Sequence, residues 1–108
     1  MRKGDLWLVE IPQFGGHEQE GLRPAIVIAD TKTPVVIIIP CTSNIQALRF
    51  PFTFQVLPSK RNGLKSLTIA LVFHLRAIDK RRLVRKIGTL EPASAHALNK
   101  MLKALLGF

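Results

Sequence analysis

Two short apolar runs, at residues 24–29 and 35–39, constrain the fold of this chain more than any other feature. Both are rich in β-branched isoleucine and valine, and the polar, turn-like segment 30–34 separates them, so they predict an antiparallel β-hairpin. Arg23 and Thr42 lie just outside the two runs. If the runs pair, both residues reach the open end of the hairpin, where a guanidinium meets a hydroxyl.

Further strands are predicted on both sides of this hairpin, from apolar or alternating segments bounded by turn residues. They lie at residues 6–11, 52–56, 67–75 and 85–90. Residues 13–22 lack apolar periodicity and are predicted to form a loop. A turn is predicted around Asn62-Gly63, and Asp79 is predicted to cap a helical turn over residues 80–83.

The end of the chain is predicted to be an amphipathic helix over residues 92–106, with Pro92 suited to its first turn. The apolar residues at helical spacing are Leu98, Met101, Leu102 and Leu105. Several short strands and one closing helix predict a compact, barrel-like sheet, mainly β with α. A single domain over residues 1–108 accommodates all of it.

The charge balance indicates a polyanionic partner. The chain has 16 Lys and Arg residues against 7 Asp and Glu, a formal net charge of +9. A small domain this basic attracts nucleic acid, but charge alone does not separate RNA from DNA, an acidic protein or an anionic membrane surface, and it also serves solubility. An apolar content of 47% supports a real core and argues against disorder.

The cysteine count and the N-terminal residues predict a cytoplasmic protein. Cys41 is the single cysteine, so no intrachain disulfide forms. The start of the chain shows no apolar signal pattern, and apolar runs such as residues 35–39 are far too short to span a bilayer. No membrane association is expected.

Two polar clusters interrupt the apolar pattern. In the first, residues 16–24, Arg23 enters a strand beside a loop that carries carboxylates and an imidazole. Arg23 either binds an anion there or pairs with Glu18 or Glu20 to pin the loop. The second cluster, residues 40–44, supplies hydroxyl and amide groups that either form a turn or donate hydrogen bonds to a phosphate oxygen.

Cofactor and metal motifs are absent from the sequence. It has no phosphate-cradling P-loop, no Gly-rich dinucleotide turn and no metal-ligand spacing among its histidines and Cys41, so no cofactor or metal is expected. Cys41 follows an apolar strand without a base partner, which predicts a buried, inert thiol. His96 is predicted to be exposed on the helix. The basic run 80–86 favours a solvated face, with contact along an RNA backbone as the alternative.

A set of short motifs covers nearly the whole chain. They are residues 4–9 (GDLWLV), 16–27 (GHEQEGLRPAIV), 36–43 (VIIIPCTS), 51–52 (PF), 63–64 (GL), 75–83 (LRAIDKRRL) and 87–88 (IG). Each motif alone is weak. In this order the set resembles the MazF/PemK family of toxin endoribonucleases, the mRNA interferases of type II toxin–antitoxin systems.

This resemblance implies a small SH3-like β-barrel with a C-terminal helix, a fold shared with CcdB toxins, in a two-fold symmetric homodimer. It also implies metal-independent cleavage of single-stranded mRNA at short sequences. The ribose 2′-hydroxyl attacks the adjacent phosphate and leaves a 2′,3′-cyclic phosphate and a 5′-hydroxyl. An acidic antitoxin whose tail covers the RNA site is the implied partner.

Arg23 and Thr42 match the family's catalytic arginine and threonine. The resemblance assigns Arg23 to the scissile phosphate, whose added negative charge it stabilises, and Thr42 to a hydrogen bond with a phosphate oxygen. Because an arginine stays protonated at working pH, Glu18, with His17 beside it, is the candidate base or base-orienting group. Amides and hydroxyls address base edges, and the candidate base-reading residues are Gln19, Ser43 and Asn44.

One departure from the family pattern lies at Phe73 and His74, where many relatives carry an acidic residue followed by glutamine. Phe73 either stacks on a base or fills the core, and the core interpretation is favoured. His74 is predicted either to donate a hydrogen bond to RNA or to act as an extra acid. Arg76, which opens the Arg-x-Ile-Asp segment, is a further candidate RNA-binding residue.

Two other functions stay open on the sequence. A gyrase poison of the CcdB type shares this fold and dimer but needs no phosphate site. A non-catalytic RNA- or DNA-binding module uses charge and sheet aromatics alone. The pairing of Arg23 with Thr42 favours the nuclease.

Overall fold

The structure, a computed structural model, describes residues 1–11 and 21–108. Over these two ranges the strands are β1 (Asp5–Glu10), β2 (Leu22–Asp30), β3 (Val35–Thr42), β4 (Thr53–Val56), β5 (Thr68–Leu71), β6 (Arg76–Asp79) and β7 (Leu83–Thr89). The 3₁₀ helices are Ile45–Arg49, Val72–His74 and Lys80–Arg82, and the α-helix is α1 (Pro92–Leu106). Most of the predicted loop at residues 13–22, including His17, Glu18 and Gln19, lies outside the described residues.

The strands form one antiparallel sheet in the order β4-β5-β3-β2-β1-β7, with β6 also paired to β3. The eight-residue strand β3 pairs with β6 through its first half and with β5 through its last two residues, both on the edge opposite β2. This confirms the mainly β fold with one C-terminal helix. Within the described ranges the edge strands β4 and β7 do not pair with each other, so the sheet does not close into a full barrel.

The predicted hairpin is confirmed by β2 and β3, which pair with Ala25 opposite Pro40 and Ile26 opposite Ile39. Its turn is held by Asp30, whose carboxylate accepts hydrogen bonds from the Lys32 amide at 2.9 Å and from Lys80 Nζ at 2.6 Å. The hydrogen bond from Lys80 is the main cause that lowers the pKa of Asp30 to about 2. The closed end of the hairpin is therefore tied to the start of the third 3₁₀ helix.

Both faces of the central strands are buried, because successive side chains of a strand point to opposite faces. Ile26 and Ile39 join the core cluster that also contains Leu98 and Leu102 of α1. The second cluster lies on the other face and consists of Val9, Ala25, Val27, Val36, Ile38 and Ile78. Burial on two sides explains why residues 24–29 and 35–39 are continuous apolar runs rather than alternating ones.

The predicted turn around Asn62-Gly63 is present and packs backbone to backbone against β7. Gly63 has a φ of +70°, and a Cβ atom there would lie 1.9 Å from the Ile87 carbonyl oxygen. A Cβ atom at Gly88 would lie 2.4 Å from the Arg61 carbonyl oxygen. Both contacts are closer than carbon atoms allow, so only glycine permits this approach.

The remaining predictions are confirmed in part. Helix α1 has the predicted bounds, and Asp79 Oδ1 accepts from the Arg81 amide at 2.8 Å to cap the third 3₁₀ helix. The predicted strand at residues 67–75 ends at Leu71, because the chain then turns into a 3₁₀ helix. Strand β6 and the first 3₁₀ helix were not predicted. Across the described ranges no helix has the length and apolar character needed to cross a bilayer.

Candidate functional site

Arg23 and Thr42 lie together at the open end of the β2–β3 hairpin. Arg23 is in β2, opposite Val9 of β1, and Thr42 ends β3, opposite Ile69 of β5. Both side chains are half-buried, and both line the same two cavities. The sequence predicted that a guanidinium and a hydroxyl meet at the open end of the hairpin, and the register of β2 and β3 confirms this placement.

The first cavity has a volume of about 300 Å³ and lies on the side of the two 3₁₀ helices that contain Arg49 and His74. Besides Arg23 and Thr42, its polar lining includes Arg49, His74 and Arg76. None of its described lining residues is a carboxylate. Three guanidiniums on one concave surface favour a bound anion.

The second cavity has a volume of about 490 Å³ and extends from Arg23 and Thr42 toward β7. Its cations are Lys65 and Arg85 in addition to Arg23. Hydroxyl groups complete its polar lining, from Thr42, Ser43, Ser66 and Thr68. It too lacks a carboxylate among its described lining residues, so Arg23 and Thr42 lie between two cationic cavities.

The segment after β3 is shaped by its own side chains. The backbone amide of Asn44 donates a hydrogen bond to Thr42 Oγ1 at 3.1 Å. Because this oxygen already accepts a hydrogen bond, the Thr42 hydroxyl can direct its own hydrogen toward a ligand. Asn44 Oδ1 accepts from the Gln46 amide at 3.0 Å and caps the first 3₁₀ helix. The Asn44 oxygen is thus engaged, which leaves its NH₂ group as the part suited to reading a base.

Comparison with known proteins identifies the family. Residues 2–106 match the family described as PemK-like, MazF-like toxin of type II toxin–antitoxin system. The chain belongs to this family. The toxin sequence is 32% identical over 113 residues to endoribonuclease MazF9 of Mycobacterium tuberculosis, covering 95% of this chain and 93% of that protein. It is 29% identical over 110 residues to endoribonuclease EndoA of Bacillus subtilis, covering 98% and 94% of the two chains.

Solved structures agree with this assignment. The crystal structure of MazF from Deinococcus radiodurans superimposes with a TM-score of 0.76 at 27% identity, covering 98% of this chain and 96% of that one. A MazE–MazF complex from the same organism gives a TM-score of 0.71 at 26% identity, with coverage of 98% and 95%. The fold of this MazF-like toxin is therefore that of its family.

The structure brings most of the sequence-predicted site residues of the toxin to the two cavities. Asn44, His74 and Arg76 line the first cavity, and Ser43 lines the second. The predicted candidates His17, Glu18 and Gln19 lie outside the described residues. Among the described residues no group of three or more His, Cys, Asp or Glu side chains could hold a metal ion.

The interpretation of Phe73 as a core residue is wrong. Its side chain is 37% exposed. The reason is local: residues 72–74 form a 3₁₀ helix, so Val72 takes the buried position while Phe73 and His74 turn outward. In a continued strand, successive side chains would point to opposite faces, so Phe73 and His74 would not both turn to the same side.

Sequence reasoning missed several residues of this site, namely Arg49, Phe50, Lys65 and Arg85. Arg85 belongs to the basic run 80–86, whose interpretation as a solvated face is incomplete because this residue lines the second cavity. For Arg49 and Phe50 the signal was a cation beside an aromatic residue, followed by proline, in a segment without strand periodicity.

Cys41 is predicted to resist alkylation in the folded toxin. Cys41 is 1% exposed, and burial raises the pKa of its thiol to about 12. The reactive thiolate is therefore scarce at neutral pH. Mass spectrometry after iodoacetamide treatment at pH 8 should find the native protein unmodified and the denatured protein modified. Rapid modification of the native protein would contradict the buried placement.

Proposed function

We propose that this toxin is an endoribonuclease that cuts single-stranded mRNA at short sequences without a metal ion. The observation that carries this proposal is the position of Arg23 and Thr42 between two cationic cavities. An RNA strand crossing the hairpin end would place one phosphate at the pair and neighbouring nucleotides in the two cavities. The names of the similar proteins, endoribonuclease MazF9 and endoribonuclease EndoA, support the same activity.

The reaction uses the ribose of the substrate as its nucleophile. The 2′-oxygen forms a bond to the adjacent phosphorus, the bond from phosphorus to the 5′-oxygen breaks, and the products are a 2′,3′-cyclic phosphate and a 5′-hydroxyl. This requires a base for the 2′-hydroxyl, an acid for the leaving oxygen and stabilisation of the charge that develops on the phosphate. DNA lacks the nucleophile and is not a substrate.

We assign to Arg23 the stabilisation of the charge that develops on the phosphate, because a guanidinium matches phosphate geometry. Thr42 lies beside it and is assigned a hydrogen bond to a non-bridging phosphate oxygen. Glu18, with His17, is assigned the base or its orientation. His74 lines the same cavity and is assigned either an RNA hydrogen bond or the role of acid, since an imidazole can donate a hydrogen bond or a proton.

The proposal includes a homodimer and an acidic antitoxin. The MazE–MazF complex of Deinococcus radiodurans supports an antitoxin as the regulatory partner. A disordered acidic segment suits the cavities described above, because they contain Arg23, Arg49, Arg76, Lys65 and Arg85 without a carboxylate among their described lining residues.

Cleavage in chelator, and its loss when one 2′-hydroxyl is removed, is the expected result that tests this function. The 5′ ends of cellular transcripts cut during brief expression first locate the cleaved sequence. A short RNA containing it should be cut in excess chelator to a cyclic phosphate and a 5′-hydroxyl. The same RNA with 2′-deoxyribose at the cut position should stay intact.

Three outcomes would contradict the proposal in different ways. Cutting of the deoxy-substituted RNA would exclude attack by the 2′-hydroxyl. RNA binding without cleavage would favour the non-catalytic module. Toxicity in cells that persists in an Arg23→Ala variant would favour a gyrase poison.

A further inference from the structure

An aromatic cluster lies on the surface beside the first cavity. It consists of the rings of Phe50, Phe73 and His74, and is called here the aromatic ledge. The Phe50 and Phe73 centroids are 5.8 Å apart, and the Phe73 and His74 rings meet edge to face at 4.6 Å. The Arg49 guanidinium lies over the Phe50 ring, 5.1 Å from its centroid. The ledge joins two segments that are more than 20 positions apart in the sequence.

The two phenylalanines of the ledge are exposed although the core is close by. Phe50 is 45% exposed and Phe73 is 37% exposed, whereas Val72 next to it is fully buried. The rings pack against each other, and part of their apolar surface still faces solvent. Exposed aromatic clusters of this kind mark binding sites more often than isolated apolar residues do.

Hydrogen bonds to backbone carbonyl groups hold the ledge in place. The Phe50 amide donates to the Ala47 carbonyl at 3.1 Å, and the Thr53 hydroxyl donates to the Phe50 carbonyl at 2.9 Å. The Phe73 amide donates to the Phe52 carbonyl at 3.3 Å. Phe52 itself has a φ of 59°, which is rare for a bulky residue, and its side chain packs against the core. The ledge is therefore positioned before any ligand arrives.

The charges around the ledge select the kind of ligand. Phe50, His74 and Arg49 belong to the lining of the first cavity, which also contains Arg23 and Arg76 and no described carboxylate. A ligand that combines negative charge with flat apolar faces complements this surface. Single-stranded RNA has both, since its bases stack on aromatic rings while its phosphates bind arginine.

We propose that the aromatic ledge is a stacking subsite for a base that flanks the cleaved bond, with Arg49 binding the adjacent phosphate. This inference rests on the proposed ribonuclease function and adds to it the residues that hold one neighbouring nucleotide. The ledge lies on the first-cavity side of Arg23 and Thr42 only. Stacking is therefore expected on one side of the cut and not on the other.

An abasic scan of an uncleavable RNA is the experiment that tests the ledge. The probe is the short RNA with 2′-deoxyribose at the mapped cut position, and each flanking nucleotide in turn is made abasic. With the wild-type toxin, one position on one side of the cut should weaken the Kd by about 5- to 150-fold, the range expected for one base on one aromatic platform. Phe73→Ala and Phe50→Ala should weaken the Kd of the intact probe by a similar factor.

The combination of variant and abasic probe is the decisive measurement. If the base stacks on Phe73, removing the base should weaken the Kd of the Phe73→Ala variant little further. If the two do not interact, the fold-change in Kd from the abasic position and the fold-change from the variant should multiply. Phe73→Trp keeps a stacking surface and should restore the wild-type pattern. Phe108→Ala is the matched control, because Phe108 is 72% exposed and lies at the end of the chain outside the ledge.

Four results would overturn the ledge. Multiplicative losses in the combined measurement would exclude stacking between that base and Phe73. An absence of any sensitive position, in a wild-type toxin that still cuts RNA, would remove the ledge and leave the proposed function standing. A change of oligomeric state in Phe50→Ala or Phe73→Ala on size-exclusion chromatography would assign these rings to an interface between copies. Failure of the wild-type toxin to cut any RNA would reject both proposals.

Discussion

An Arg23→Ala variant is expected to cut RNA with a kcat lowered by about 10²–10³-fold, the effect of removing one preorganised donor from a developing negative charge. The physical reason is the position of Arg23 at the junction of two cationic cavities and beside Thr42, where its guanidinium would meet the phosphate. The measurement is single-turnover cleavage of the mapped RNA at saturating enzyme. This separates the chemical step from RNA binding.

Two further arginine variants sharpen this test. Arg23→Lys keeps the charge but loses the bidentate fork, so its rate should fall between those of wild type and Arg23→Ala. Arg81→Ala removes the same charge from an arginine whose side chain is 90% exposed and pairs only with Asp79 among the described residues, and it should cut RNA at nearly the wild-type rate. Full activity of Arg23→Ala would remove the central residue of the proposed mechanism.

The hairpin was predictable because its signals are local and agree with one another. Two β-branched runs, a polar turn and a proline at the start of the first run all favour one pairing. The pairing then fixes the place of Arg23 and Thr42, since antiparallel register determines which residues meet at the open end. Helix α1 was predictable for a similar reason, with proline at its start and glycine directly after its end.

The aromatic ledge was not predictable, because two separate local events create it. Residues 72–74 leave the strand path for a 3₁₀ helix, and this exposes Phe73 within a run whose apolar composition indicated core. Phe50 reaches the same surface from another segment, through a turn that contains Phe52 at positive φ. Neither the change from strand to 3₁₀ helix nor the positive φ has a strong sequence signal.

The cationic lining of the cavities depends on tertiary structure in the same way. Arg49, Lys65 and Arg85 come from three separate segments, and nothing in their local sequence separates them from arginines and lysines that face solvent. Their convergence follows from the strand order, which places β5 and β7 on opposite sides of the β2–β3 hairpin. Net charge predicted an anionic partner, but only the topology locates its binding surface.

The buried side chain of Asn62 is expected to be a principal support of the fold. Its Oδ1 accepts from the amides of Ser59 and Leu64, each at 3.0 Å. Its Nδ2 donates to the Leu57 carbonyl at 2.8 Å and to Glu91 Oε1 at 3.0 Å. Glu91 directly precedes α1, and its other oxygen accepts from the Ser59 hydroxyl at 2.7 Å. One amide thus joins the 57–64 segment to the start of the helix.

Asn62→Ala is expected to lower the free energy of unfolding by about 3 kcal/mol, because it leaves buried donors and acceptors without partners. For a domain of this size the Tm should fall by roughly 10 °C or more. Asn99→Ala is the matched control: Asn99 is exposed on α1, and its loss should change stability by no more than about 0.5 kcal/mol.

The hydrogen bond from Ser59 is the main cause that holds the pKa of Glu91 below its usual value, so this carboxylate favours the folded state when ionised. The contribution of Glu91 is then complete above its unfolded pKa and is lost as the pH falls through its lower folded pKa. Chemical denaturation at neutral and acid pH should therefore show a smaller difference between Asn62→Ala and wild type in acid. A difference that stays within the range of the Asn99→Ala control at neutral pH would show that the 57–64 segment is held by other contacts.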